Sequence, residues 1–215
     1  MRNLPLLLLC LLLQACTSTQ KGLTDGIALA FLGPDDITVT NEQISRLPYA
    51  SMYLRVDGGQ QIFVVLGFDE NGQQKWITSD KAMVVTQHGR VVKTLGLSDN
   101  LTQVSNLQQD PLRDALRLTE GASWTRTLSW TENGQLRAGQ AVSRFTRLPD
   151  QVLQLAGKPV ATHVWQEDVE MDSNGKAWRN TFWIDIRTGQ VRQSAQMLGA
   201  DYLPITTTIL KPAQS

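Results

Sequence analysis

Cysteine is nearly absent: the 215-residue chain has only Cys10 and Cys16. Histidine is as scarce, with His88 and His163 alone. No charge predominates, since 20 Lys plus Arg balance 20 Asp plus Glu. Low-complexity tracts and clear internal repeats are missing as well. Each absence excludes something. A chain without surplus positive charge has no electrostatic reason to take nucleic acid as a partner. No Cys or second His stands at metal-ligand spacing from either histidine, so no metal site is expected. His88 reads as a turn residue before Gly89, and His163 as a strand-surface residue before Trp165. Ser123, Ser129 and Ser143 lack a G-x-S-x-G context, which removes the nucleophile elbow. No cofactor is called for.

Two further chemistries fail on spacing. Glu170-Met171-Asp172-Ser173-Asn174-Gly175 resembles the start of a calcium loop, but Thr181 stands where the closing bidentate carboxylate is needed. A hairpin turn accounts for it better. Glu167, Asp168, Glu170 and Asp172 could supply a glycosidase pair only if two faced one cleft. As neighbours at a hairpin rim they read as solvated charge. The chain is therefore not expected to be an enzyme.

What is present begins at the N-terminus. Met1-Arg2-Asn3 gives a short positive start, and Leu4 to Leu13 is almost wholly apolar. That run is about half of the roughly 20 residues a spanning helix needs. A basic start and a short apolar core form a signal peptide, here residues 1–15. Leu13-Gln14-Ala15-Cys16 resembles the lipobox of bacterial lipoproteins, although Gln14 departs from the small or branched residue usual there. Lipidation at Cys16 is the expectation; cleavage after Ala15 without lipid is the alternative. Cys16 would be the one cysteine of the mature chain, which leaves no internal disulfide. Two or more acyl chains make such anchoring stable. Thr17, not Asp, follows the cysteine. By the sorting rule of enterobacterial lipoproteins this favours the outer membrane, with the body in the periplasm.

The tether covers 16–33 and one β-rich domain is expected over 34–215. Leu23 to Leu32 could form a short helix, broken by Gly33-Pro34-Asp35-Asp36. Thr40-Asn41-Glu42-Gln43 fits a capping box, and Pro48 ends the short helix it starts. From Tyr49 the pattern is strands and tight turns. Strands are predicted over Tyr49 to Val56, Gln61 to Phe68, Gln74 to Thr78, Ala82 to Gln87 and Arg90 to Leu95. Asp110-Pro111 starts a short helix through Leu118, with Asp110 as its cap. Further strands follow over Ser123 to Thr131, Gln135 to Arg147, Lys158 to Met171, Ala177 to Ile186, Val191 to Met197 and Thr206 to Leu210. His88-Gly89 and Glu132-Asn133-Gly134 are hairpin connections. No strand-helix alternation appears, so the fold class is mainly β: an antiparallel meander forming a strongly curved sheet or barrel-like domain, with short helices near the N-terminus.

Several stretches carry a family resemblance. They are Pro48-Tyr49-Ala50-Ser51, the run F-V-V-L-G-F-D-E-N-G-Q-Q-K-W from Phe63 to Trp76, and V-T-Q-H-G-R-V-V-K-T-L from Val85 to Leu95. Gly121 to Thr127 and Gly199 to Pro204 add to them. Their order along the chain resembles the YjbF/GfcB family, and the YjbF branch most. The resemblance implies an outer-membrane lipoprotein encoded with exopolysaccharide or capsule export genes, and a mainly β fold. It implies work beside an outer-membrane β-barrel protein and a periplasmic accessory protein. It implies no catalytic residues.

The tryptophans and one arginine are the remaining candidates for glycan or partner contact. Trp124 and Trp130 share a strand face with Arg126 and Leu128. Trp178 and Trp183 are odd-spaced and face opposite sides unless a bulge intervenes. Aromatic faces can stack on sugar rings or dock a protein; the competing reading is that most are core. Arg126 can be such a contact, or can lie near a sheet edge or pair with an acidic group. Three functions follow: an accessory or scaffold of polysaccharide export, a glycan-binding module touching the polymer, and a polysaccharide-modifying enzyme. The lack of a catalytic constellation and the resemblance favour the first.

Overall fold

A computed structural model describes residues 36–172, 175–199 and 202–213. The expected signal peptide, the Cys16 tether and the apolar stretch from Leu23 lie outside the described residues. One antiparallel sheet holds twelve strands. They are β1 (Ser51–Val56), β2 (Ile62–Glu70), β3 (Gln73–Ile77), β4 (Met83–Gln87), β5 (Arg90–Leu95), β6 (Leu101–Val104), β7 (Ser123–Glu132), β8 (Gln135–Leu155), β9 (Lys158–Met171), β10 (Ala177–Asp185), β11 (Val191–Gly199) and β12 (Tyr202–Lys211). Spatial order runs β5-β4-β3-β2-β1-β12-β11-β10-β9-β8-β7-β6. Sequence neighbours therefore pair throughout, apart from β1 with β12 and the gap between β5 and β6. The meander curls into a nearly closed barrel.

Alternation drives the curl. Along β7, Trp124, Arg126, Leu128 and Trp130 are buried while Ser123, Thr125 and Thr127 are exposed. β9 and β10 behave likewise, burying Trp165, Glu167 and Val169, and Trp178, Asn180 and Phe182. One inner core joins Met52, Leu54, Val64, Trp76, Trp124 and Ile205 from both halves of the sheet. The hairpin at His88-Gly89 places both residues at positive φ. That is the tight turn whose twist matches the flanking strands.

The gap between β5 and β6 is closed by side chains. Thr94 Oγ1 accepts from the Leu101 amide at 3.0 Å and donates to Asn100 Oδ1 at 3.3 Å. Asn100 Oδ1 also accepts from the Leu97 amide at 3.2 Å. Opposite this seam, Gln196 of β11 reaches β5. Its Oε1 accepts from the Val91 amide at 3.1 Å, and its Nε2 donates to the Gly89 carbonyl at 3.0 Å.

Two additions cover what the sheet leaves open. Thr40 caps helix α1 (Asn41–Arg46) with a full capping box. Ile44 and the preceding Val39 pack with Phe63 and Leu210 on the outer face of β2 and β12. Between β6 and β7, 3-10 turns run over Leu107–Gln109 and Pro111–Arg117. Leu112 and Ala115 pack against Phe145, Trp165, Phe182, Ile184 and Val191, so that this segment closes one end of the barrel as a plug.

Two expectations need correction. β8 does not stop at Arg147 but continues through Pro149 to Leu155, with a register irregularity between Leu148 and Gln151 in its pairing with β9. The irregularity lets the strand pass a residue that has no amide hydrogen to give. The short strand β6 carries no sequence signal strong enough to announce it. The Asp110 turn, expected as a short helix, is of 3-10 type, with non-helical angles at Asp114.

Candidate functional site

The residues singled out as contacts fall into two groups. Trp124, Arg126, Trp130 and Trp178 are all buried and point into the barrel. Trp183 lies on the opposite face of β10 from Trp178, half-buried, with its Nε1 donating to Gln151 Oε1 at 2.8 Å. Of the two histidines, His88 is exposed at its turn. His163 is half-buried, with its Nδ1 3.1 Å from Asp150 Oδ2. Asp150 is held below the usual carboxylate range by its hydrogen bond from Arg147, with His163 adding to it. Among the described residues, no three His, Cys, Asp or Glu side chains converge as metal ligands.

Arg126 belongs to a charge cluster inside the barrel. Arg90 grips Asp110 with two nitrogens, Nε to Oδ2 at 2.6 Å and Nη2 to Oδ1 at 3.2 Å. Its Nη1 donates to Glu167 Oε2 at 2.9 Å. Asn180 Nδ2 donates to the same oxygen at 2.8 Å. Arg126 Nη1 lies 3.3 Å from Glu167 Oε1 and donates to Ser143 Oγ at 3.0 Å. The Trp124 ring packs against both guanidiniums, at 4.5 Å from Arg90 and 4.4 Å from Arg126. Two cations and two carboxylates thus neutralise one another out of water. Burial of unpaired charges would be prohibitive, and the pairing here is what makes it tolerable.

The electrostatics follow from that arrangement. Burial alone pushes the Glu167 carboxyl up, but Arg90 and Arg126 together with the hydrogen bonds from Arg90 and Asn180 overcome it and hold it at about 2. Burial works against the Arg90 cation, and Asp110 and Glu167 reverse that effect, raising it above the ordinary value. For Arg126 burial prevails and lowers it, with Glu167 opposing. Two carboxylates do converge here, on Arg90. Both are buried and paired with arginine, and Glu167, held at about 2, has no proton to deliver as a general acid near neutral pH. Asp168, Glu170 and Asp172 sit at the surface as expected. Glu167 does not; strand alternation turns it inward.

An open cavity of about 360 Å³ lies at the closed end, beside the plug. Met52 and Trp76 form apolar parts of its lining, and Asp69, His88, Arg113 and Gln190 polar parts. The His88-Gly89 turn is fixed there. The Gly89 Cα faces Val191 so closely that a Cβ would stand 2.3 Å from the Val191 Cβ. A second cavity of about 230 Å³, bordered by Tyr49 and Lys211, shares Asp69, Pro212 and Ala213 with the first. Sequence reading did not single out these residues. The turn signal at His88-Gly89 marked His88, and as structure.

Comparison with known proteins places the chain. Residues 24–210 match the family described as group 4 capsule polysaccharide lipoprotein gfcB, YjbF. The chain is 46% identical to the uncharacterized lipoprotein GfcB of Escherichia coli K12 over 213 residues, 99% of this chain and 100% of the relative. It is 45% identical to the uncharacterized lipoprotein YjbF of the same organism over 214 residues, the whole of both chains. The crystal structure of the hypothetical lipoprotein YmcC from Escherichia coli K12 superposes with a TM-score of 0.82 at 44% identity, covering 94% of this chain and 98% of that one. The chain belongs to the YjbF family of group 4 capsule polysaccharide lipoproteins.

Proposed function

We propose that the protein is an outer-membrane lipoprotein, anchored by lipid at Cys16, that serves as a non-enzymatic accessory in capsule or exopolysaccharide production and export. The observation that carries this reading is the full-length similarity to lipoproteins of a capsule polysaccharide family. The signal segment ending in Leu13-Gln14-Ala15-Cys16 supplies the anchor, and Thr17 after the cysteine directs it outward. The body then faces the periplasm. Its partners are an outer-membrane β-barrel protein and a periplasmic accessory protein of the same export system. The interior supports a scaffold rather than an enzyme, because its convergent carboxylates are locked to arginines.

The test combines deletion with a Cys16→Ser variant. Deletion is expected to abolish or sharply reduce surface polysaccharide. Cys16→Ser is expected to leave an unlipidated species in the soluble or inner-membrane fraction and fail to restore it. Full polysaccharide in the deletion strain overturns the accessory role. A wild-type protein without lipid overturns the anchor.

A further inference from the structure

We propose that the cavity beside the plug is a saccharide-binding site that takes one pyranose unit of a polysaccharide, with the adjoining cavity receiving its neighbour. This rests on the reading that the protein works in capsule polysaccharide production.

Three features of the site carry the assignment. The first is size: about 360 Å³ falls in the range of about 300–1,000 Å³ usual for small-molecule sites. The second is the mixture of groups. A pyranose offers apolar C–H faces and a ring of hydroxyls that both donate and accept. Ile209, Pro212 and Ala213, all partly exposed, give the first something to lie against. The Asp69 carboxylate, the Gln190 amide and the His88 imidazole are the donors and acceptors that hydroxyls need. Charge is sparse and mixed, with Asp69 set against Arg113, which suits a polyhydroxy ligand and not a polyanion. Among the described residues, the His88 and Gln190 side chains make no hydrogen bond within the chain, so both are free to bind.

The third is continuity. The two cavities share the wall formed by Asp69, Pro212 and Ala213. Tyr49, half-buried, borders the second cavity. Neighbouring subsites, one amide-rich and one aromatic, fit consecutive units of a chain. The first is also built in advance. The His88 turn is held by the Gly89–Val191 contact and by the bond from Gln196 to the Gly89 carbonyl.

The experiment uses the full-length protein purified from membranes in detergent. The probe is oligosaccharide released by mild acid from the exopolysaccharide of the cells that carry this protein, with dextran oligosaccharides of equal size as control. Calorimetric titration is expected to give saturable binding that dextran does not reproduce. A His88→Asn, Gln190→Ala double variant keeps a residue that tolerates the left-handed turn. It is expected to bind about tenfold more weakly, the loss of two neutral hydrogen bonds, with an unchanged Tm. Trp183→Phe, on the outer face, is expected to bind as wild type. Absence of saturable binding overturns the proposal, and so does equal affinity in the double variant. If deletion abolishes surface polysaccharide while the oligosaccharide does not bind, the saccharide site falls and the accessory role stands. If deletion leaves the polysaccharide intact, the accessory role falls whatever the titration shows.

Discussion

Arg90 and Glu167 stand 77 positions apart in the chain and meet at 2.9 Å inside the barrel. They join β5, at one edge of the open sheet, to β9 on the other side of the interior. Removing the carboxylate leaves Arg126 buried with only Ser143 to receive it, while Arg90 keeps Asp110. Glu167→Gln is therefore expected to lower unfolding stability by about 3–5 kcal/mol, the usual effect of breaking one side of a buried pair. Adding Arg126→Met removes the stranded cation. The double variant is expected to lose less than the sum of the two single losses, measured by urea denaturation.

Acid should act on the same carboxylate. In the folded chain Glu167 is held at about 2, below its ordinary value of 4.5. A depressed carboxylate contributes its full stability above the unfolded value and loses it as pH falls through the folded one. The stability gap between wild type and Glu167→Gln is expected to be constant above pH 4.5 and to shrink steadily from there toward pH 2. Urea midpoints of both proteins across that range report it. A gap that widens on acidification would contradict the sign.

Two glycines at equivalent turns separate backbone strain from crowding. Gly89 and Gly134 have similar positive φ, at 80° and 75°. A Cβ at Gly134 meets nothing within 4 Å, whereas at Gly89 it runs into Val191. Gly134→Ala is expected to cost about 1 kcal/mol from the left-handed backbone alone. Gly89→Ala is expected to cost clearly more, because the Val191 contact adds to it. Thermal melts of the two variants make the comparison.

The seam offers a third handle on stability. Thr94 is buried and serves two bonds across the β5–β6 gap. Thr94→Val keeps the shape and strands the Leu101 amide. A loss of about 1–3 kcal/mol is expected for that unsatisfied donor. Hydrogen exchange at the Leu101 amide should quicken more than at amides within the β8–β9 ladder.

Much of this architecture was legible from pattern alone. The Thr40 capping box, the Asp110 cap and the His88-Gly89 and Asn133-Gly134 hairpins all rest on local chemistry, and all stand where they were read. The alternation of β7 correctly put Trp124, Arg126 and Trp130 on one face. What failed was non-local or unusual. Pro149 reads as a strand end, yet β8 carries on past it. The β8–β9 turn uses Ala156 at positive φ, where no Asn or Asp signals a hairpin. Arg126 could be read as needing an acid, but nothing local says that the acid is Glu167 rather than a surface neighbour. Glu167 itself sits in a run of carboxylates whose other members are solvated, and only strand register tells it apart. The cavity is assembled from four separate turns and a C-terminal segment, so no stretch of sequence announces it.

Asp110 has a consequence for how the barrel end behaves. The same carboxylate caps the plug, accepting from the Leu112 amide at 3.0 Å, and neutralises Arg90. The plug cannot swing out without carrying away half of the counter-charge on a cation that water does not reach. Partial opening there carries an electrostatic cost on top of the lost apolar packing. Leu112, which borders the cavity, is buried in that packing and is a fixed part of the wall. A ligand arriving there would spend little of its affinity on ordering that part of the wall.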